Sequence, residues 1–217
     1  FVSTILGLET LSMSLYGMVA YPLHSRHSAL YPLEAAVKYL VLSAVSSSFM
    51  LFGMALIYAQ TGTLAFSSLI DLSSNAAVSL SDSYSIVGLL LLISGMAFKL
   101  SLAPFHMWTP DVYEGSPLPA TAYLATIGKT AMLVVLLRFV VMTDALSYDA
   151  VVIVFSLIAV LSILVGNVLA LLQIELKRIL AYSSIAHMGY LIIALIASNF
   201  AASTISIEAV TFYLLAY

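Results

Sequence analysis

The chain of 217 residues carries seven Lys or Arg and ten Asp or Glu, while 63% of its residues are hydrophobic and its mean hydropathy is +1.12. Charged residues make up 8% of the chain, whereas a soluble domain carries about 25% because its surface must be hydrated. The composition therefore excludes a soluble globular enzyme, a nucleic-acid-binding protein and a disordered tail. A net charge of −3 is too small to indicate a polyanionic partner. Without Cys there is no disulfide framework, thiolate nucleophile or Cys-ligated metal or iron–sulfur site.

Seven apolar stretches predict membrane-crossing helices, each of which needs about 20 residues. In chain order they cover about 1–21, 32–58, 84–102, 120–142, 150–173, the residues up to 197, and 203–217. The stretches are continuous rather than alternating, which argues against membrane-spanning strands. We therefore predict an all-α, polytopic transmembrane helical bundle that forms a single membrane domain over 1–217. Because the first residue is Phe and the seventh stretch is unfinished, we interpret the chain as a fragment of a larger protein.

The orientation in the membrane is predicted from the Lys and Arg residues in short connections. Arg26 lies between the first and second stretches, and Lys177 and Arg178 lie between the fifth and sixth. The connections on the opposite side, which include the polar segment 59–83, contain no Lys or Arg. We therefore expect the side that holds Arg26, Lys177 and Arg178 to be cytoplasmic.

Three charged residues are predicted to lie deep in the hydrocarbon layer, where a central charge costs at least ~2.5–3.5 kcal/mol. Glu9 lies about 18 Å from the inner end of the first stretch, and Lys129 lies about 14 Å into the fourth. Lys99 lies deep in the third stretch, shortly before Pro104, which removes a backbone donor and bends or breaks the helix. A single structural ion pair uses one lysine and one glutamate, so it does not account for two buried lysines and one buried glutamate. We therefore predict a charge-relay or transport role.

A buried lysine beside a carboxylate can act as a proton switch. At ~4 Å and an effective dielectric constant near 20, the attraction of Glu9 would favour protonated Lys99 by about 4 kcal/mol. Separating the two would make Lys99 a proton donor, with Lys129 as the recipient through water or Ser, Thr and Tyr side chains. His106, after the break, and His187, in the middle of the sixth stretch, are candidates for relay or for structural hydrogen bonding. Four scattered histidines and the lack of a Gly-rich loop argue against a metal or phosphate site.

Four segments carry a resemblance to a known family: Phe98–Pro117, Gly128-Lys129, Leu176–Tyr190 and Gly7–Glu9. With these segments the chain resembles the subunit N family of bacterial complex I, the proton-pumping NADH–quinone oxidoreductase. Trp108–Tyr113 (WTPDVY) is the most specific part, because sister antiporter-like subunits and cation/proton antiporters tend to have Trp-Leu-Pro-Asp-Ala there. The resemblance implies antiporter-like inverted repeats of five helices, each with one broken helix. This chain would hold the broken helix near Pro104, and the second one would lie beyond its last residue.

The resemblance also implies roles for individual residues. Glu9 corresponds to the carboxylate that pairs with the broken-helix lysine, Lys99, and Lys129 corresponds to the lysine of the central axis. These three form the predicted proton relay. The residues predicted as possible relay or support are Lys38, His106, Asp111 and His187.

The resemblance further implies a multi-pass protein of the bacterial inner membrane. Its partners would be the lipid bilayer and the other membrane subunits of complex I, with no nucleic acid. The chain itself would hold no cofactor, because the NADH, FMN, iron–sulfur clusters and quinone used by the whole complex belong to other subunits. The alternatives are a related cation/proton antiporter, a membrane-bound hydrogenase or a ferredoxin-dependent photosynthetic complex. A structural membrane subunit, whose buried charges are only assembly ion pairs, is a further alternative.

Overall fold

The computed structural model of the protein describes residues 2–21, 30–64, 83–143, 145–198 and 203–217. Within these ranges the regular elements are all helical, as expected for backbone that must satisfy its own hydrogen bonds in lipid. The helices are α1 (Val2–Ala20), α2 (Leu30–Thr61), α3 (Ser83–Lys99), α4 (Trp108–Gly115), α5 (Leu118–Thr143), α6 (Asp149–Leu171), α7 (Leu176–Ala197) and α8 (Ser203–Ala216). The prediction of an all-α bundle is confirmed.

The predicted spans are all helical, but they differ in length. Five of the described helices, α1, α2, α5, α6 and α7, are long and apolar enough to cross a membrane. The third and seventh predicted spans form helices of 17 and 14 residues, α3 and α8, which are shorter than the length of about 20 residues that spans a bilayer. Arg26, which contributed to the predicted orientation, and most of the polar segment 59–83 lie outside the described residues.

The third predicted span is the first half of a broken helix, as Pro104 predicts. Helix α3 ends at Lys99, somewhat earlier than expected, and α4 begins at Trp108. The chain between them, 100–107, is not helical, and Ser101 there has a φ of 61°. The break therefore places Lys99 at the end of a helix and turns the following backbone aside.

Several backbone groups at the break find partners within the protein. The carbonyl of Phe98 accepts hydrogen bonds from the backbone N–H of Ser101 at 2.9 Å and from the indole N–H of Trp108 at 3.1 Å. The N–H of Ala103 donates to the hydroxyl of Ser162 on α6 at 2.9 Å. These bonds satisfy the requirement that non-helical backbone at membrane depth be covered by protein or water.

Two helix pairs pack with their backbones in close contact at glycine. In the α2–α3 pair, a Cβ atom added to Gly53 would lie 2.6 Å from the carbonyl oxygen of Gly88. In the α6–α7 pair, a Cβ atom on Gly166 would lie 2.7 Å from the backbone nitrogen of Ala186. Small residues suit such interfaces, because helices in lipid associate through close packing rather than through the hydrophobic effect. The α2–α3 contact holds the first half of the broken helix in place.

Buried apolar side chains form two clusters at different heights along the helices. On α1, Leu8 belongs to the first cluster and Leu15 to the second. The same division occurs between Tyr39 and Met50 on α2, between Leu124 and Met132 on α5, and between Ala181 and Met188 on α7. A polar layer lies between the two clusters, and its members include Glu9, Ser12, Ser43, Ser47, Lys129 and Ser184.

Replacing Gly53 by Ala should destabilise the protein by about 1–3 kcal/mol, because the new methyl group would overlap backbone atoms that cannot move aside cheaply. The added Cβ would lie 2.6 Å from the Gly88 carbonyl oxygen and 2.9 Å from the Leu92 nitrogen. Gly17→Ala is the matched control, since no described atom beyond the neighbouring backbone of its own helix lies within 4 Å of a Cβ atom there. The control should be neutral or slightly stabilising, as Ala favours a helix over Gly by about 0.5–1 kcal/mol. Thermal unfolding of the full-length protein in detergent measures both, and equal melting temperatures would contradict the close packing.

Candidate functional site

The structure joins Glu9 and Lys99 in an ion pair. The Nζ atom of Lys99, at the end of α3, lies 2.8 Å from Oε1 of Glu9 on α1, and the two side chains are 9% and 25% exposed. The hydroxyl of Ser47 on α2 donates to the same oxygen at 2.5 Å, and Lys99 also donates to Ser12 at 3.3 Å. Three helices therefore meet at this pair, and the added hydrogen bonds supply what a largely buried charge pair needs.

A small cavity lies beside Lys99 and extends toward α5. It has a volume of about 30 Å³, and its lining includes Ser12 and Ser43 on one side and Gly128 and Met132 of α5 on the other. This volume is sufficient for about one or two water molecules. The lining is mostly apolar, and its few polar members, which include Ser12, Ser43 and Lys99, offer them hydrogen bonds. The cavity therefore connects Lys99 to the helix that carries the second predicted lysine.

Lys129 lies in a different environment from Lys99. It follows a π-helical turn, Leu124–Gly128, within α5, and it is 1% exposed. Its ammonium group donates to the hydroxyl of Ser184 on α7 and lies 5.8 Å from the centre of the Tyr113 ring on α4. Among the residues that the structure describes, no carboxylate lies within 4 Å of it. Lys129 thus does not share Glu9, and its contacts are neutral groups.

His187 extends the polar layer from Lys129 toward α8. Its Nδ1 atom is hydrogen-bonded to the hydroxyl of Tyr213, and its ring centre lies 5.4 Å from that of Tyr217. Ser184 lies three residues earlier on α7, and residues at that spacing occupy the same helix face. Ser184, His187 and Tyr217 line one open cavity of about 440 Å³. The arrangement places a titratable imidazole next to the partner of Lys129.

Lys38 and Asp111 lie apart from the buried pair, in a partly exposed ion-pair network. Lys38 on α2 is 2.8 Å from Asp111 on α4 and 2.7 Å from Glu34 on its own helix. Arg178 on α7 is 3.5 Å from Asp111 and 2.7 Å from Glu114. These five side chains alternate in charge and are 31–59% exposed. The ion-pair network, as these five residues are called below, brings the beginnings of α2 and α7 to the same side of the bundle.

His106 is half-buried in the segment between α3 and α4. Its ring centre lies 6.5 Å from that of Tyr182 on α7. Within the described ranges, no hydrogen bond joins His106 to Lys99 or Lys129. The structure therefore keeps this predicted candidate near the break but outside the direct contacts of the two lysines.

Several members of the site were not identified from the sequence. Ser47 had a signal, because Ser43 and Ser47 lie one turn apart in the middle of an apolar stretch. Tyr113 lies in the most specific segment of the resemblance, but its position against Lys129 depends on the fold of the broken helix. The π-helical turn before Lys129 has no signal, since Leu124–Gly128 has the composition of an ordinary helix.

Comparison with known proteins identifies the family. A family model described as NADH:quinone oxidoreductase/Mrp antiporter, transmembrane, matches residues 1–217. NADH-quinone oxidoreductase subunit N of Nitrosospira multiformis is 53% identical over 193 residues, which cover 89% of this chain and 37% of that protein. This chain therefore spans less than half the length of this curated relative.

Solved structures share the fold. Respiratory complex I from Thermus thermophilus with bound Aureothin contains a chain that is 39% identical, with a TM-score of 0.73, and the match covers 98% of this chain and 43% of that one. A chain of the Mrp complex from Dietzia sp. is 22% identical with a TM-score of 0.82, and the match, which shows the fold alone, covers 97% of this chain and 37% of that one. The predicted family resemblance is confirmed, and the chain belongs to the NADH:quinone oxidoreductase/Mrp antiporter transmembrane family.

Proposed function

We propose that this chain is part of a proton-translocating membrane subunit of NADH-quinone oxidoreductase, in which Glu9, Lys99 and Lys129 form a proton relay. One observation carries the proposal: an ion-paired lysine lies in the same polar layer as a fully buried lysine that has no carboxylate partner among the described residues. The name of the Nitrosospira multiformis relative supports the choice of complex. NADH, FMN, iron–sulfur clusters and quinone are then used in other subunits. These subunits and the lipid of a bacterial inner membrane are the partners, and the ion-pair network faces the cytoplasm.

The first step of the proposed relay is the opening of the Glu9–Lys99 ion pair. While the pair is closed, the carboxylate stabilises the ammonium form, and Lys99 keeps its proton. When the two groups separate, the ammonium loses this stabilisation in a site with little access to water. Ser47 stays beside Glu9 and continues to donate a hydrogen bond to its carboxylate. Lys99 is then ready to release its proton.

The second step is the transfer of this proton from Nζ of Lys99 to Nζ of Lys129. Water in the small cavity beside Lys99 reaches α5 at Gly128, the residue before Lys129. Lys129 is ready to accept, because deep burial with no carboxylate among its described neighbours disfavours its charged form before the proton arrives. Ser184 and the hydrogen-bonded pair of His187 and Tyr213 continue the route toward α8. Each lysine alternates between ammonium and amine, so no other chemistry is needed.

The structural alternative is disfavoured by the surroundings of Lys129. A buried charge pair can hold helices together. Within the described ranges, however, Lys129 has a hydroxyl and an aromatic ring as its polar contacts, so it brings the cost of burial without a compensating carboxylate. An apolar side chain of similar volume would serve assembly better. The arrangement is therefore better explained by proton transfer than by packing.

Replacing Lys129 by Ala or by Arg should slow proton transfer through this subunit by about 100-fold or more. Arg retains the positive charge but does not release its proton, so it separates a proton relay from a requirement for charge alone. Proton uptake by inside-out membrane vesicles, followed with a pH-sensitive dye and normalised to NADH oxidation by the assembled complex, measures the effect. Ser48→Ala is the matched control, because the exposed Ser48 hydroxyl donates to the carbonyl of Ala44 in its own helix. Normal uptake with Lys129→Arg would refute the relay.

Replacing Glu9 by Gln should destabilise the protein by up to about 3–5 kcal/mol, because it leaves the Lys99 ammonium buried without its partner. The double variant Glu9→Gln/Lys99→Met should regain most of this stability, since it removes both charges. Neither variant should translocate protons through this subunit. Chemical or thermal unfolding in detergent gives the stability, and the vesicle assay gives the uptake. A double variant that is stable and also translocates protons normally would reduce the pair to a structural role.

A further inference from the structure

We propose that the ion-pair network positions α4 so that the ring of Tyr113 lies over Lys129, and that it thereby sets how readily Lys129 takes up a proton. This inference rests on the proposed relay function of Lys129. Asp111, Lys38 and Arg178 are then positioning residues, which act through Tyr113, and not members of the relay.

Helix α4 depends on its neighbours for its position. It has eight residues, too few for a stable isolated helix, and Met107 at its beginning contributes no side-chain cap. Its Asp111 and Glu114 side chains are bound from two sides, by Lys38 of α2 and Arg178 of α7. The ion-pair network therefore ties this short helix to two long ones.

The end of α4 is held as well. Lys177 on α7 donates hydrogen bonds to the carbonyls of Glu114 at 3.2 Å and Ser116 at 2.7 Å, where a cation is favourable for the helix dipole. Gly115 packs so closely against α2 that an added Cβ atom would lie 2.7 Å from the Cβ atom of Ala35. The helix thus has little freedom to move while these contacts persist.

The opposite face of α4 carries the contact with the relay. Tyr113 follows Asp111 by two residues, and at about 100° per residue the two side chains point to nearly opposite sides. Tyr113 is 1% exposed, and its ring centre lies 5.8 Å from Nζ of Lys129, within the range of a cation–π interaction. A shift of α4 would move this ring relative to Lys129, because Tyr113 is part of that helix.

The second contact of Lys129 is the hydroxyl of Ser184 on α7, the helix that also carries Arg178 of the ion-pair network. The pairing of Arg178 with Glu114 therefore connects the two elements, α4 and α7, that present neutral groups to the buried ammonium. Partly exposed ion pairs add little stability individually, so their effect lies in geometry rather than in the strength of the fold.

Asp111→Asn tests the inference, because it removes the charge that faces both Lys38 and Arg178 while keeping the shape of the side chain. In inside-out vesicles that contain the assembled complex, proton uptake per NADH oxidised by way of this subunit should fall about three- to tenfold. Asp111→Glu should restore most of the loss. Asp149→Asn is the matched control, because it makes the same change at an exposed carboxylate in the first turn of α6, outside the ion-pair network. Asp149→Asn should leave uptake unchanged.

A double-variant comparison shows whether the effect passes through Tyr113. Tyr113→Leu should lower uptake to a similar extent, and Tyr113→Phe, which keeps the ring, should restore most of it. Asp111→Asn combined with Tyr113→Leu should be no worse than either change alone, because both remove the same contact. Additive losses, or normal uptake with Asp111→Asn, would overturn the positioning role.

The result can be separated from that of the proposed function. If Lys129→Ala stops uptake while Asp111→Asn is normal, the positioning role is wrong and the relay stands. If Lys129→Ala is itself normal, the relay is wrong and the positioning role falls with it.

Discussion

The ion pair between Glu9 and Lys99 is the interaction on which the arrangement of this bundle depends. A charge in a lipid-facing protein must have a partner or reach water, and here the partner sits on a helix far away in sequence. The pair brings α1 and α3 together, and Ser47 adds α2 by donating to the same carboxylate. The polar layer lies at this height, between the two clusters of buried apolar side chains.

The break between α3 and α4 sets a second requirement, because backbone groups at the end of a helix inside the bundle need hydrogen-bond partners. The free carbonyl of Phe98 is covered by Trp108, whose ring stacks between Phe98 at 5.9 Å and Tyr39 at 5.1 Å. The Ser162 hydroxyl covers the N–H of Ala103 from the other side. With its backbone satisfied in this way, the break can present Lys99 to Glu9 on one side and Tyr113 to Lys129 on the other.

The two lysines differ because their surroundings differ. Lys99 contacts the carboxylate of Glu9 and the hydroxyl of Ser12, and the hydroxyl of Ser47 donates to the same carboxylate. Lys129 contacts the hydroxyl of Ser184 and the face of the Tyr113 ring. In the proposed relay, this difference lets Lys99 pass its proton to Lys129 only after the Glu9–Lys99 ion pair has opened. The partly exposed ion-pair network is a separate polar feature, and its contacts join α2, α4 and α7 rather than Lys99 or Lys129.

The sequence by itself determined that the protein is a membrane helical bundle, because 8% charged residues cannot cover a hydrated surface, and it located the break through Pro104. It also singled out Glu9, Lys99 and Lys129, since depth along an apolar helix can be counted in residues. Depth along a helix does not by itself show which residues pair, and the expectation that Glu9 pairs with Lys99 came with the family resemblance. The tertiary structure places Glu9 in contact with Lys99. It alone decided that Ser184 and Tyr113 surround Lys129 and that Lys38 and Asp111 form a separate network. These contacts join residues of different helices. Their distances depend on how the helices pack, and a local pattern of residues does not predict that packing.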